Sequence, residues 1–198
     1  MANTSAPFGF RPVKSLGGRD ATFGQEKRRI AYNDTAALYI GDPVTSLASG
    51  LITRATAGTT TIAGIFLGCQ YLSQSLGYVV ESPVWPGNDA ASTTVVTAYI
   101  CNDPTALLEV QAGGSTTAIG VADIGANIQF ALGTPDTRAN TSGAYVDQTT
   151  IATTNTLPFR IVDLITTPPG ANGTDITTGY NRVIVAFNNQ DFKTNTGV

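Results

Sequence analysis

The chain has 198 residues, a formal net charge of −3 and an isoelectric point near 4.7. That length fits one domain, and a domain of this size buries about 70% of its unfolded surface without needing disulfides or metal. Hydrophobic residues make up 42% of the chain, which with the small net charge argues against disorder. There is no global basic excess of the kind that nucleic acid requires.

The composition reads as all-β. Thr is the commonest residue, followed by Ala and Gly, and 21 Gly and 10 Pro supply turns. Lys, Glu and Met, which favour helices, are scarce. The charge is unevenly placed. Within residues 1–30, Arg11, Lys14, Arg19, Lys27, Arg28 and Arg29 face only Asp20 and Glu26, which leaves +4 there and −7 on the remainder. A basic leading segment on an acidic body can bind an acidic partner; it can equally be a solvated terminus.

Residues 1–29 hold Pro7, Pro12, Phe8 and Phe10 around Gly9, and the Gly17-Gly18 pair, with no sustained period. They are expected to form an extended basic arm, whose Phe8 and Phe10 either tuck onto their own domain or plug into a neighbour. The start lacks the basic and apolar regions of a signal peptide, so a cytoplasmic origin is expected. The uncharged stretch 55–80 is too interrupted by Thr, Ser, Gln and Gly to span a membrane.

From Ile30 onward short strands follow one another, and this part, 30–198, is expected to be the β body. They include 37–40, 44–47, 51–55 and the long apolar run Ile62–Leu72, where Gly64 and Gly68 favour a bent strand over a helix. Pro83 and Pro86 keep Trp85 out of a central strand. Residues 93–112 read as a hairpin around the turn Asn102-Asp103-Pro104-Thr105. Residues 122–125 could be one helical turn, and 127–132 alternate as a strand. Residues 133–156 are expected to form a polar surface loop or exposed hairpin anchored by Val146 and Ile151. Strong strands are expected at 157–165 and 182–188. About ten short strands without a long amphipathic helix predict a single β-sandwich or β-barrel-like domain, with no internal repeat.

The chain has no histidine, and hence neither the usual general base nor the commonest metal ligand. Glu occurs only at 26, 81 and 109, and no phosphate-binding or calcium-loop spacing is present. No cofactor, metal or catalytic residue is expected. Cys69 and Cys101 are expected to be buried free thiols.

Several stretches resemble one family. Ala6-Pro7-Phe8-Gly9-Phe10-Arg11-Pro12-Val13, Gly41-Asp42-Pro43-Val44, Gly64–Cys69, Tyr99–Ala112, Val121–Asn127, Leu157–Arg160 and Arg182–Asn188 are similar, in order, to small head proteins of tailed bacteriophages, the capsid decoration or cement proteins. The resemblance implies a structural virion protein on the outer capsid surface, assembled in the host cytoplasm. It would bridge major capsid subunits, commonly as a trimer, with no direct contact with nucleic acid or membrane. The capsid-binding residues expected are those of the arm: Phe8, Phe10, Arg11, Lys14, Arg19, Lys27, Arg28 and Arg29. The alternatives are a major capsid subunit, or a receptor- or glycan-binding module using Trp85 and the 133–156 segment.

Overall fold

A computed structural model describes residues 2–16, 25–170 and 172–193. Twelve strands follow in order: β1 (Arg11–Ser15), β2 (Gln25–Ile30), β3 (Pro43–Ser46), β4 (Ile52–Arg54), β5 (Gly64–Leu72), β6 (Val79–Ser82), β7 (Val96–Cys101), β8 (Ala106–Gly113), β9 (Asn127–Asp136), β10 (Thr141–Ala152), β11 (Phe159–Leu164) and β12 (Arg182–Phe187). The only helical element among the described residues is a single 3₁₀ turn, Val121–Asp123. The fold is all-β, as the composition requires.

The strands form two sheets. In the C-terminal one, β8-β10-β9-β11-β12 returns to β8 and closes a five-stranded barrel, with β1 added to β8. In the N-terminal one, β3-β4-β2-β7-β5 also returns to its start through β3–β5, with β6 on the outer edge of β5. The N-terminal ring is the looser, since β2 and β4 meet only at Ile30 and Ile52.

The two rings have the same topology and register, although the sequence shows no repeat. In each, the first and third strands are parallel and all other neighbours antiparallel. Ile30 faces Ile52 as Ala112 faces Val146. Phe66 faces Ile100 and Ile100 faces Glu26, as Ile161 faces Val185 and Val185 faces Leu108. A bulge interrupts the fourth strand between Phe66 and Gly68, and again between Ile161 and Asp163. Gly41 and Gly125 both enter the second strand with φ near +90°. Each donates its amide to the fourth strand, to Phe66 O and Ile161 O, both at 2.9 Å. No residue is identical across the matched strand positions; the identities are Ile40-Gly41 and Ile124-Gly125, just before the second strand of each ring. What persists is burial, as in Val44 and Ile128, Ile52 and Val146, and Ile100 and Val185, all essentially inaccessible.

Gly125 and Gly41 separate strain from crowding. A side chain at Gly125 would meet nothing within 4 Å, whereas at Gly41 it would lie 3.0 Å from Phe10 N. We expect Gly125→Ala to cost about 1–3 kcal/mol from backbone strain, and Gly41→Ala to cost more, as read by urea denaturation. Equal losses would contradict the crowding at Gly41.

Two sequence expectations need correction, and a third narrows to one of its alternatives. The 99–112 stretch is not a hairpin: β7 belongs to the N-terminal ring and β8 to the barrel, and they do not pair with each other. The turn chemistry is present, with Asp103 Oδ1 accepting from Thr105 N and Oγ1, but the chain crosses between sheets there. Residues 1–29 are not a free arm within the described part, because β1 pairs with β8 and β2 with β7. Of the two forms expected for 133–156, the surface loop is not found and the hairpin is: β9 and β10 pair there as a long antiparallel ladder. Val146 is buried there, and Ile151 packs against the core.

Terminal segments tie the two rings together. Asn3 is buried and donates from Nδ2 to Asp175 O and Gly179 O, while its Oδ1 accepts from Gly173 N. Gly9 N donates to Ala144 O and Phe10 N to Gly41 O, so this strap touches both rings. At the other end Gln190 bridges to Ile62, and its Nε2 donates to Asn102 O at 2.7 Å. Ser46 Oγ donates to Asp191 at 2.5 Å.

Cys69 and Cys101 are free and buried. Burial pushes the Cys69 thiol up to about 12, so little thiolate exists at neutral pH. Native protein should resist alkylation at pH 8 by iodoacetamide at both cysteines and react fully in denaturant. Rapid labelling of the native state would contradict this burial.

Asp42 bridges the rings. Its Oδ1 accepts from Ser142 Oγ at 2.5 Å, and its Oδ2 from Tyr39 N at 2.8 Å. Burial, opposed by these bonds and by Arg54, leaves its carboxyl above its ordinary 3.8. Between 3.8 and the raised value the folded state holds a proton that the unfolded state has lost. Stability from this group therefore falls as pH rises through that window. The Asp42→Asn variant should lack that downward slope, so the difference between variant and wild-type urea midpoints should change over pH 3.5–7; a pH-independent difference would contradict it.

Candidate functional site

The basic residues lie along one spine. β7, the 102–105 turn and the first half of β8 run continuously from ring to barrel. The segments 25–30 and 11–15 both pair antiparallel to it. Leu16 N donates to Thr105 O at 2.8 Å, extending the pairing to the turn. β1 is polar because it is an edge strand whose outer face meets water, which is why no apolar period marks it.

Within this arrangement the expected site residues separate. Phe10 is fully buried and stacks on Phe159 with ring centroids 4.5 Å apart, so it belongs to the barrel core and not to a docking surface. Phe8 is half-buried, with the Arg11 guanidinium 4.3 Å and the Arg182 guanidinium 5.3 Å from its ring centroid. Arg182, which is not among the expected site residues, is ion-paired with Glu109. Its burial and then the charge of Arg11 lower its pKa, but a guanidinium stays protonated at neutral pH.

Arg11, Lys14, Lys27 and Arg29 are exposed and have no acidic partner among the described residues. The Lys27 ammonium stands 6.0 Å from the Tyr99 ring. Arg28 is half-buried, with Nε 3.6 Å from Glu26 and its guanidinium 5.8 Å from Phe192. Arg19 lies outside the described residues. The structure thus brings Phe8, Arg11 and Arg182 together on the barrel, and places Lys27 and Arg29 on the outer face of the ring.

The adhesion surface suggested around Trp85 does not form. Trp85 is fully buried, bridges to Leu38, and packs edge-on to Tyr71 at 5.0 Å. Its flanking prolines do keep it out of a named strand, and an isolated bridge to Leu38 holds it in the core. A cleft of about 380 Å³ opens beside the strap, between Gln111, Gly113, Gly114, Tyr145 and Tyr180, with no charged side chain in its lining.

The acids have structural partners. Glu109 pairs with Arg182, Glu26 with Arg28 and Asn102, and Glu81 with Gln70. Among the described residues no group of three His, Cys, Asp or Glu could hold a metal ion. No helix there is long and apolar enough to cross a membrane. Comparison with protein-family models, curated proteins and solved structures finds no match.

Proposed function

We propose that the protein is a structural virion component that decorates the outer surface of a tailed-phage capsid and bridges neighbouring major capsid subunits, most simply as a trimer. The observation that carries this reading is the set of four exposed cations without an acidic partner among the described residues, Arg11 and Lys14 on β1 of the barrel sheet and Lys27 and Arg29 on β2 of the other ring. Fixed cations on a rigid scaffold suit an acidic, repetitive surface, since they lose little freedom on docking. The body supports it too: each Glu serves a structural contact, and the termini strap the two rings together. The resemblance in Ala6–Val13 and Gly41–Val44 is carried by residues of the strap and the ring junction, which suits a shared scaffold.

The test is co-sedimentation with undecorated shells. Wild type should bind saturably and more weakly as salt rises. Reversing all four cations to Glu should lower affinity at least tenfold while leaving the circular dichroism unchanged. Undiminished binding of the reversed variant would remove the cations from the mechanism. Self-assembly of the isolated protein into shells would identify it instead as a shell subunit.

A further inference from the structure

The barrel fills a place that, among the described residues, the N-terminal ring leaves open. On β8, β12 covers one edge from Leu107 to Gln111. The other edge is shared by β10, at Ala112 and Gly113, and by β1, from Ala106 to Glu109. On β2, β7 covers one edge from Gln25 to Ile30, and the other edge meets β4 only at Ile30. Among the described residues no strand pairs with Gln25–Arg29 on that side.

The shared register states what the open edge offers. Gln25, Lys27 and Arg29 stand where Leu107, Glu109 and Gln111 stand in the barrel. Ala112 N donates to Asn181 O at 2.8 Å. Peptide groups alternate in direction along an antiparallel strand, so Leu108 and Val110 turn theirs to β12, and Leu107 and Glu109 turn theirs to β1. By the same register Gln25, Lys27 and Arg29 turn their peptide groups to the open edge, and all three residues are exposed.

The filled slot also states the charge of its occupant. In the barrel an acid, Glu109, stands opposite a base, Arg11, on a strand that also carries Lys14. In the ring the position of Glu109 is taken by Lys27, with Arg29 two residues on. The sign is inverted. A second copy pairing there would set cations against cations, as charged edge strands do to block self-association.

We propose that the open edge of β2 receives an extended acidic segment of the shell protein as an added strand, as β1 adds to β8. This rests on the decoration reading and names its docking element.

Hydrogen exchange on undecorated shells tests it, with amides read by mass spectrometry after quenching. In the free protein the amides of Gln25, Lys27 and Arg29 should exchange quickly, and those of Leu107 and Glu109, already covered by β1, slowly. On shells the first three should slow at least tenfold. Lys27→Pro removes one outward amide, and the double variant Lys27→Glu/Arg29→Glu reverses the charge. Each should weaken co-sedimentation at least tenfold with the melting temperature retained. Should the proline variant fail to fold, the double variant decides. Wild type that does not bind shells overturns both the decoration reading and the slot. Tight binding with the three amides still fast, or with the double variant unweakened, overturns the slot alone.

Discussion

Phe10→Ala is expected to destabilise the protein by about 3–5 kcal/mol, the usual cost of truncating a buried aromatic residue. Phe10 has no accessible surface, stacks on Phe159, and joins the cluster formed by Phe130 and Phe187. Its backbone amide is held by Gly41 O, so the backbone cannot move inward to close the cavity left by the ring. Phe8→Ala, at a half-buried ring between two guanidiniums, should cost far less. Urea denaturation of the two variants separates these roles. A loss at Phe10 no greater than at Phe8 would return Phe10 to the surface and restore the arm.

Deleting residues 1–16 is expected to prevent folding altogether. The deletion removes Phe10, the β1 ladder on β8 and the six-fold bonded Asn3. Two of these contributions alone approach the ~5–15 kcal/mol by which a whole domain is stable. Truncation of the leading segment is thus a test of the fold and not of docking, and docking must be probed by charge reversal. A soluble truncated protein with a native melting temperature would contradict this.

The all-β class was legible because composition alone carries it: Thr, Gly and Pro in place of helix formers. The strand positions at Ile62–Leu72, 157–165 and 182–188 were legible because inward residues there are continuously apolar. The spine was not. Asn102-Asp103-Pro104-Thr105 does make its local turn bonds, but turn chemistry cannot say which sheet each arm joins. β1 and β2 were hidden because edge strands are polar on their exposed positions, so Arg11, Lys14, Lys27 and Arg29 looked like a tail. The duplicated topology was hidden more deeply. Val44 and Ile128, or Ile52 and Val146, keep burial while changing identity, and Glu26 and Arg28 of β2 replace the buried Leu108 and Val110 of β8. The charge segregation that singled out the first thirty residues was informative, since four of its cations have no acidic partner among the described residues.

Cryo-electron microscopy of the native particle tests the central claim most directly. The decoration reading predicts density for two adjacent small β-rings on the outer capsid surface, with the Gln25–Arg29 edge of β2 against the shell. Particles that lack this density outside the shell, or that carry the protein on the inner face or in the tail, would contradict it.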